Sequence, residues 1–175
     1  MDCRIEYFRA EIPVAGYVAR YRNEPRFEEL CSKCPNYGRR WGCPPFDSPL
    51  DPGKYTHSFI LAAKITPLES GLPLGRAQEI LRPVRAAMEK ELLELESAHG
   101  GLAFGFAGGC DRCGDRGCTR TQGLPCRHPE SVRPSLEAVG FDISRTVADL
   151  FGIEIVWGSN HTLPPYLTLV SGWWH

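Results

Sequence analysis

The chain has almost no net charge and no long apolar run. Its formal net charge is −1, so no global field directs it to nucleic acid or to an anionic membrane. No stretch approaches the roughly 20 apolar residues that a membrane-spanning helix needs. The residues from Met1 to Arg4 do not begin an apolar segment typical of a secretory signal. We therefore expect a cytoplasmic protein with neither nucleic acid nor a membrane among its partners.

The motifs of several common enzyme classes are also missing. The sequence contains no G-x-S-x-G, no P-loop and no Rossmann glycine fingerprint. The glycine-rich stretch 105–109 lacks the spacing of such a fingerprint, and internal repeats are not evident. The composition, 42% hydrophobic and 23% charged, is ordinary for a globular protein. We expect a single domain over residues 1–175.

Cysteine, by contrast, is unusually abundant and unevenly placed. Of eight cysteines, seven fall in two tight groups flanked by Pro, Gly and Arg rather than by apolar runs. In a reducing compartment they are not expected to form disulfides. Cys3 stands apart and is best explained as a small buried hydrophobe. We predict the other seven as metal ligands, which are Cys31, Cys34, Cys43, Cys110, Cys113, Cys118 and Cys126.

The second group offers four thiolates within a short loop. Its spacing is Cys-x2-Cys-x4-Cys-x7-Cys over residues 110–126. A 4Fe–4S cube takes one thiolate per iron, and short spacings allow one loop to wrap it. Glycines at 108, 109, 114 and 117 suit a backbone that passes close to inorganic sulfide. Four cysteines this close together are a strong signal of metal binding. They are a weaker signal of which metal is bound.

The first group, Cys-x2-Cys-x8-Cys over residues 31–43, offers only three thiolates. One interpretation is a cube whose fourth ligand comes from Cys3, from another group or from the second loop. The other is a cube with one iron that lacks a protein thiolate. An open iron of that kind acts as a Lewis acid or accepts a sulfur atom. The sequence leaves both interpretations open.

Zinc is the main competing metal. Structural zinc usually takes two CxxC pairs or adds histidine, whereas each loop here has a single CxxC. A site that combined both CxxC pairs would leave three cysteines unexplained, namely Cys43, Cys118 and Cys126. A dithiol oxidoreductase needs only one CxxC beside a helix N-terminus, so the five other clustered cysteines argue against this class of protein. Ligand number and softness therefore favour one or two 4Fe–4S clusters, with structural zinc as the alternative.

Several residues beside the cysteines have both a functional and an ordinary interpretation. Three arginines would offset a cluster's negative charge, or are surface residues, namely Arg39, Arg40 and Arg127. Two aromatic residues would shield a cluster, or pack in the core, namely Tyr37 and Trp41. Two histidines are candidate extra ligands or ordinary polar residues, namely His128 and His161. Two acidic residues beside helix starts are better explained by capping than by acid–base catalysis, namely Glu137 and Asp142.

The apolar pattern predicts an α/β fold. We expect extended structure at 4–18, interrupted by Pro13 and Gly16, and strands at 58–65, 102–107, 153–157 and 166–170. We expect helices at 27–31, 76–99, 135–139 and 143–151, with Pro83 restarting or kinking the longest. Segments 32–57 and 110–134 are predicted loops. This order favours a two-layer or three-layer sandwich with a small mixed, partly parallel sheet and two long cysteine-rich loops.

Both cysteine blocks resemble a known family. The stretch CSKCPNYGRRWGCPPF from Cys31, and the block from Gly108 through CRHP at 126–129 to Gly140, are similar to an uncharacterised family of predicted metal-binding proteins. Its blocks are CxxC-x8-CPP and CxxC-x4-C-x7-CRxP, and the resemblance covers residues 30–157. It implies metal binding, iron–sulfur in character, at the seven cysteines, and leaves the reaction open.

Three functional hypotheses follow from these patterns. The first is a 4Fe–4S protein that passes electrons to a redox partner protein or a small molecule. The second is an enzyme that uses an open iron at the three-cysteine group. The third is a zinc-stabilised binding module without catalysis. The absence of a basic stripe with an aromatic array argues against nucleic acid as its partner.

Overall fold

The computed structural model describes residues 2–159 and 161–175. Over these residues the strands are β1 (Cys3–Pro13), β2 (His57–Pro67), β3 (Leu102–Ala103) and β4 (Leu167–Trp174). The α-helices are α1 (Val14–Tyr21), α2 (Glu24–Ser32), α3 (Ala77–His99) and α4 (Ile143–Phe151). The predicted α/β class is confirmed. Segment 33–56 has no regular structure beyond a 3-10 turn at Pro52–Lys54.

The sheet has the strand order β1-β2-β4-β3, and every adjacent pair is antiparallel. The prediction of a partly parallel sheet is therefore wrong, for a topological reason. The helix α3 does connect two strands that run in the same direction, because β2 and β3 are both antiparallel to β4. However, β4 lies between them, so they never share hydrogen bonds.

Helices cover both faces of the sheet, which makes the sandwich three-layered. Successive residues of β2 point to opposite faces: Ile60 and Ala62 pack with α1 and α4, whereas Leu61 and Ala63 pack with α3. All four side chains are fully buried. This burial on both faces explains why β2 is a continuous apolar run rather than an alternating one.

The predictions of α3 and α4 are confirmed. The helix α3 runs from Ala77 to His99 with Pro83 inside it, so of the two alternatives predicted at Pro83, a restart of the helix is excluded. The apolar stripe predicted on α3 faces the sheet, with Val84, Met88 and Leu92 buried and Leu95 partly buried. The helix α4 has the predicted bounds and ends at Gly152, which is in the left-handed conformation.

Some predicted extended segments are shorter, or are not strands. Residues 14–18 are wrong as extended chain, because α1 starts directly after Pro13. The strand predicted over 102–107 keeps only its first two residues in the ladder. The strand at 153–157 is wrong: Ile153 is buried against the core outside any strand, and Trp157 is 82% exposed. Among the described residues, no helix is both long and apolar enough to cross a membrane.

Candidate metal centre

The three-cysteine group lies at the end of α2 and on the turns that follow it. Cys31 is in the last turn of α2, and the N–H of Cys34 donates to the Cys31 carbonyl at 2.9 Å. The N–H of Cys43 donates to the carbonyl of Arg40 at 3.1 Å. All three cysteines line one cavity of about 320 Å³. The long loop therefore folds back so that Cys43 faces the same space as Cys31 and Cys34.

The four-cysteine group lines a second, much smaller pocket of about 10 Å³. Cys113 and Cys118 each precede a short 3-10 turn, which directs the chain around the pocket. The backbone N–H of His128 donates to the Cys126 sulfur at 3.4 Å, a contact of the kind that stabilises thiolate ligands. Cys110 lines both cavities, so the two groups share one wall.

Side chains from each cysteine loop form hydrogen bonds with the other loop, mostly with its backbone carbonyls. Arg40 donates to the Cys110 carbonyl at 2.8 Å, and Trp41 donates to the Thr119 hydroxyl at 3.3 Å. In the opposite direction, Arg120 donates to the carbonyls of Arg40, Cys43 and Pro45. The Arg120 guanidinium also lies 5.3 Å from the centre of the Trp41 ring. These contacts hold the two loops together without any disulfide.

All eight cysteines are free thiols, and Cys3 lines neither cavity. Cys3 instead packs at the margin of the α3 side of the core, so the structure does not bring it to the three-cysteine group. Over the described residues, the only three metal-ligating side chains whose donor atoms lie within 4.8 Å of one another are Glu11, His57 and His175. These are exposed, and such surface groups commonly bind nothing. No three cysteine sulfurs are that close.

Burial is the main cause of the raised pKa of three thiols, those of Cys31, Cys43 and Cys110. It raises the pKa of Cys31 to about 11, with further increases from Glu28 and from the neighbouring Cys34. Burial also raises the pKa of Cys43, where Cys34 adds to the increase and Arg120 and Arg40 act in the opposite direction. The pKa of the Cys110 thiol is raised as well, again chiefly by burial. Metal binding at this wall must therefore displace protons from neutral thiols.

Apolar residues and glycines line much of the larger cavity, together with several charged side chains that are mostly paired. Glu89 binds Arg85 at 2.9 Å and Arg112 at 2.7 Å. Arg133 pairs with Glu96. Glu137 differs from these carboxylates: its Oε2 is fully buried and has no hydrogen-bond partner among the described residues. Burial raises the pKa of the Glu137 carboxyl, against smaller opposing effects from its own N–H and the Ser135 hydroxyl.

The flanking residues predicted from sequence have mixed outcomes. Of the arginines, Arg40 bonds Cys110, Arg127 donates to the Gly117 carbonyl at 2.9 Å, and Arg39 is exposed. Trp41 and His128 line the four-cysteine pocket, and Tyr37 lines the larger cavity. His161 is exposed and lines neither.

Of the two acidic residues predicted to cap helices, one does so and the other does not. The Asp142 carboxylate accepts from the Arg145 N–H at 3.0 Å, so its role as the cap of α4 is confirmed. For Glu137 the capping interpretation is wrong. Its turn is capped by no side chain at the N-cap position, and the nearby N–H of Ala138 donates to Ser135 instead.

Sequence reasoning missed Arg120 and the cavity-facing position of Glu137. Arg120 follows Cys118 by two residues, and no motif separates it from the other arginines of the loop. Glu137 lies beside a turn, where capping is the ordinary expectation. Only the packing of its turn, Glu137–Val139, against α2 places its side chain on the cavity wall.

Two loops that bring free cysteines to adjoining cavities define a candidate metal-binding protein. The comparisons agree with this class. The chain belongs to the family DUF2284, described as predicted metal-binding protein, whose model matches residues 18–171. No curated protein and no solved structure matches the chain.

Proposed function

We propose that this protein carries 4Fe–4S clusters on its two cysteine groups and transfers electrons to a redox partner, either a protein or a small molecule. One observation carries the proposal: seven free cysteines line two adjoining cavities that share Cys110. Iron–sulfur clusters are held by cysteine thiolates, and they supply reversible one-electron chemistry. Free thiols in this number also favour a reducing compartment such as the cytoplasm.

The spacing of the sulfurs supports a cluster over a single zinc ion. Around zinc, with Zn–S bonds of about 2.3 Å, tetrahedral thiolates lie about 3.8 Å from one another. No three cysteine sulfurs of this chain lie within 4.8 Å of one another. The thiolates of a cube each bind a different iron and are further apart. The residues present therefore fit the larger group better.

The surface exposure of the three-cysteine group supports electron exchange with a partner. Cys34 is exposed, whereas Cys31 and Cys43 are partly buried. A cluster held there lies at the surface, where a redox partner can approach it. The four-cysteine pocket adjoins the larger cavity, because Cys110 lines both. The two groups are therefore adjacent, as electron transfer between clusters requires.

A second candidate function is an iron–sulfur enzyme with an open iron at the three-cysteine group. The observation that favours it is the cavity of about 320 Å³ beside only three thiols. That volume matches the lower end of small-molecule sites. Arg82 lines this cavity, is exposed and forms no ion pair with any described residue, so it is available to an anionic substrate.

Anaerobic reconstitution tests the main proposal. We expect brown protein with iron and acid-labile sulfide in near-equal amounts. Cys34→Ser and Cys118→Ser should each lower the iron content, because they lie in different groups. Cys3→Ser is the control and should leave iron content and spectrum unchanged. Colourless protein that binds only zinc would overturn the proposal and favour the binding-module hypothesis.

A further inference from the structure

The three-cysteine group lacks a fourth thiol, and the structure limits which residues can supply the fourth ligand of a cluster. Cys3 lines neither cavity. Cys110 lines the cavity but also belongs to the four-cysteine pocket, where it completes a set of four. A 4Fe–4S cube has four irons, each with one outer ligand. The missing donor on this wall must therefore come from a residue other than cysteine, or from outside the chain.

Glu137 occupies the appropriate position. Its turn packs against α2, the helix that carries Cys31, and its side chain lines the same cavity as the three cysteines. Two stretches distant in sequence thus bring one carboxylate to the group that lacks a ligand.

The Glu137 carboxylate is also the one on this wall with an orphaned oxygen. Its Oε2 is buried and has no hydrogen-bond partner among the described residues. Three arginines of this cavity pair with other carboxylates, since Arg85 and Arg112 bind Glu89 and Arg133 binds Glu96. The fourth, Arg82, forms no ion pair with Glu137 or with any other described residue. A buried carboxylate without a partner is costly unless it takes up a proton, is paired or coordinates a metal.

We propose that Glu137 supplies the fourth protein donor, a carboxylate oxygen, to the cluster held by Cys31, Cys34 and Cys43. The inference rests on the proposed iron–sulfur function. Carboxylate oxygen is a harder ligand than thiolate, so the iron bound to Glu137 differs from the other three. Ligand exchange would take place at that iron.

Substitutions at Glu137 test this assignment through metal content and spectroscopy. In the full chain, reconstituted anaerobically, Glu137→Gln should lose about one iron per chain after mild oxidation. It should also show the electron paramagnetic resonance signal of a three-iron cluster. Glu137→Cys should keep the wild-type iron content but give a changed spectrum, because a thiolate replaces the oxygen. Glu28→Gln is the matched control: Glu28 is also near Cys31, but it is exposed and bonds Tyr37.

The outcomes separate this inference from the proposed function. Wild-type protein that binds no iron overturns the iron–sulfur function itself. Iron-loaded wild-type protein, with Glu137→Gln and Glu137→Cys both identical to it in iron content and spectrum, overturns only the role of Glu137. Circular dichroism shows whether Glu137→Gln folds. If it does not, the spectrum of Glu137→Cys decides the role of Glu137: a changed spectrum supports it as a ligand, and an unchanged spectrum overturns that role.

Discussion

Arg120 joins the two cysteine loops more extensively than any residue that the sequence singled out. Its guanidinium donates to three carbonyls of the first loop, those of Arg40, Cys43 and Pro45. We expect Arg120→Ala to weaken the packing of the loops by about 2–4 kcal/mol, as the loss of several hydrogen bonds from a charged donor implies. The metal content of purified protein and its resistance to limited proteolysis measure this effect.

The matched control for this prediction is Arg116→Ala. Arg116 lies in the same loop and is exposed, and its side chain bonds no described residue. It should retain wild-type metal content. Equal behaviour of the two variants would show that Arg120 acts only as a surface charge.

At the residue scale, the sequence predicted the kind of ligand but not the surroundings of the ligands. Cysteine chemistry and spacing are local, so Cys31 and Cys110 are recognisable without a structure. The contact between Arg120 and Cys43, and the burial of Glu137, depend on how distant segments pack. No local pattern carries that information.

The segment after β3 is held by a close backbone approach at Gly105. Its N–H donates to the Pro134 carbonyl at 2.8 Å, and a Cβ at this position would lie 2.6 Å from the Arg133 carbonyl oxygen. We expect Gly105→Ala to destabilise the fold by about 2 kcal/mol, because the backbone must shift. Gly75→Ala is the control, since its Cβ would meet no atom within 4 Å. Denaturant unfolding measures both, and equal stabilities would refute the close approach.

The ion pair between Glu96 and Arg133 joins α3 to the end of the second cysteine loop. It predicts that the stability of the fold depends on pH. Burial alone raises the pKa of Glu96, but hydrogen bonds from Arg133 and from the Ala103 N–H outweigh it, so the pKa is lowered. A carboxyl with a lowered folded-state pKa stabilises the protein above its unfolded pKa, about 4.3. That contribution is lost as the pH falls through the lower folded value.

The test compares the free energy of unfolding at neutral pH with that in acid. Glu96→Gln should lower it by about 2 kcal/mol at neutral pH and by less in acid, where the wild-type carboxyl is protonated. Glu94→Gln is the control, because Glu94 is exposed on the same helix and 3.8 Å from Lys90. A Glu96→Gln deficit that does not shrink in acid would contradict the prediction.

At the element scale, the sequence predicted what depends on local signals. The stripe on α3 and the cap at Asp142 are local, and both helices form as expected. The prediction of a strand at 153–157 is wrong, because an apolar run also suits a buried segment without regular structure. This segment does not pair with β4, which has β2 on one side and β3 on the other. The antiparallel sheet could not be predicted, because the insertion of β4 between β2 and β3 is not a local property.

Across the whole molecule, the core and the candidate metal centre are built from different residues. The two hydrophobic clusters on the faces of the sheet include none of the seven predicted ligands. Segments 33–43 and 110–130 contain only short turns, so their order depends on the contacts between the loops and on what the cysteines hold. Metal removal should therefore affect the loops before it affects the sheet.

We expect that removal of bound metal leaves most of the far-ultraviolet circular dichroism signal intact. In the same sample, proteolytic cleavage should increase within 33–43 and 110–130, while β2 and the helix α3, which packs its apolar stripe against the sheet, stay protected. Metal-loaded protein is the control for cleavage, and mass spectrometry of the fragments gives the sites. A metal-free chain that loses its helical signal would show instead that the metal holds the whole fold together, as in small zinc-stabilised domains.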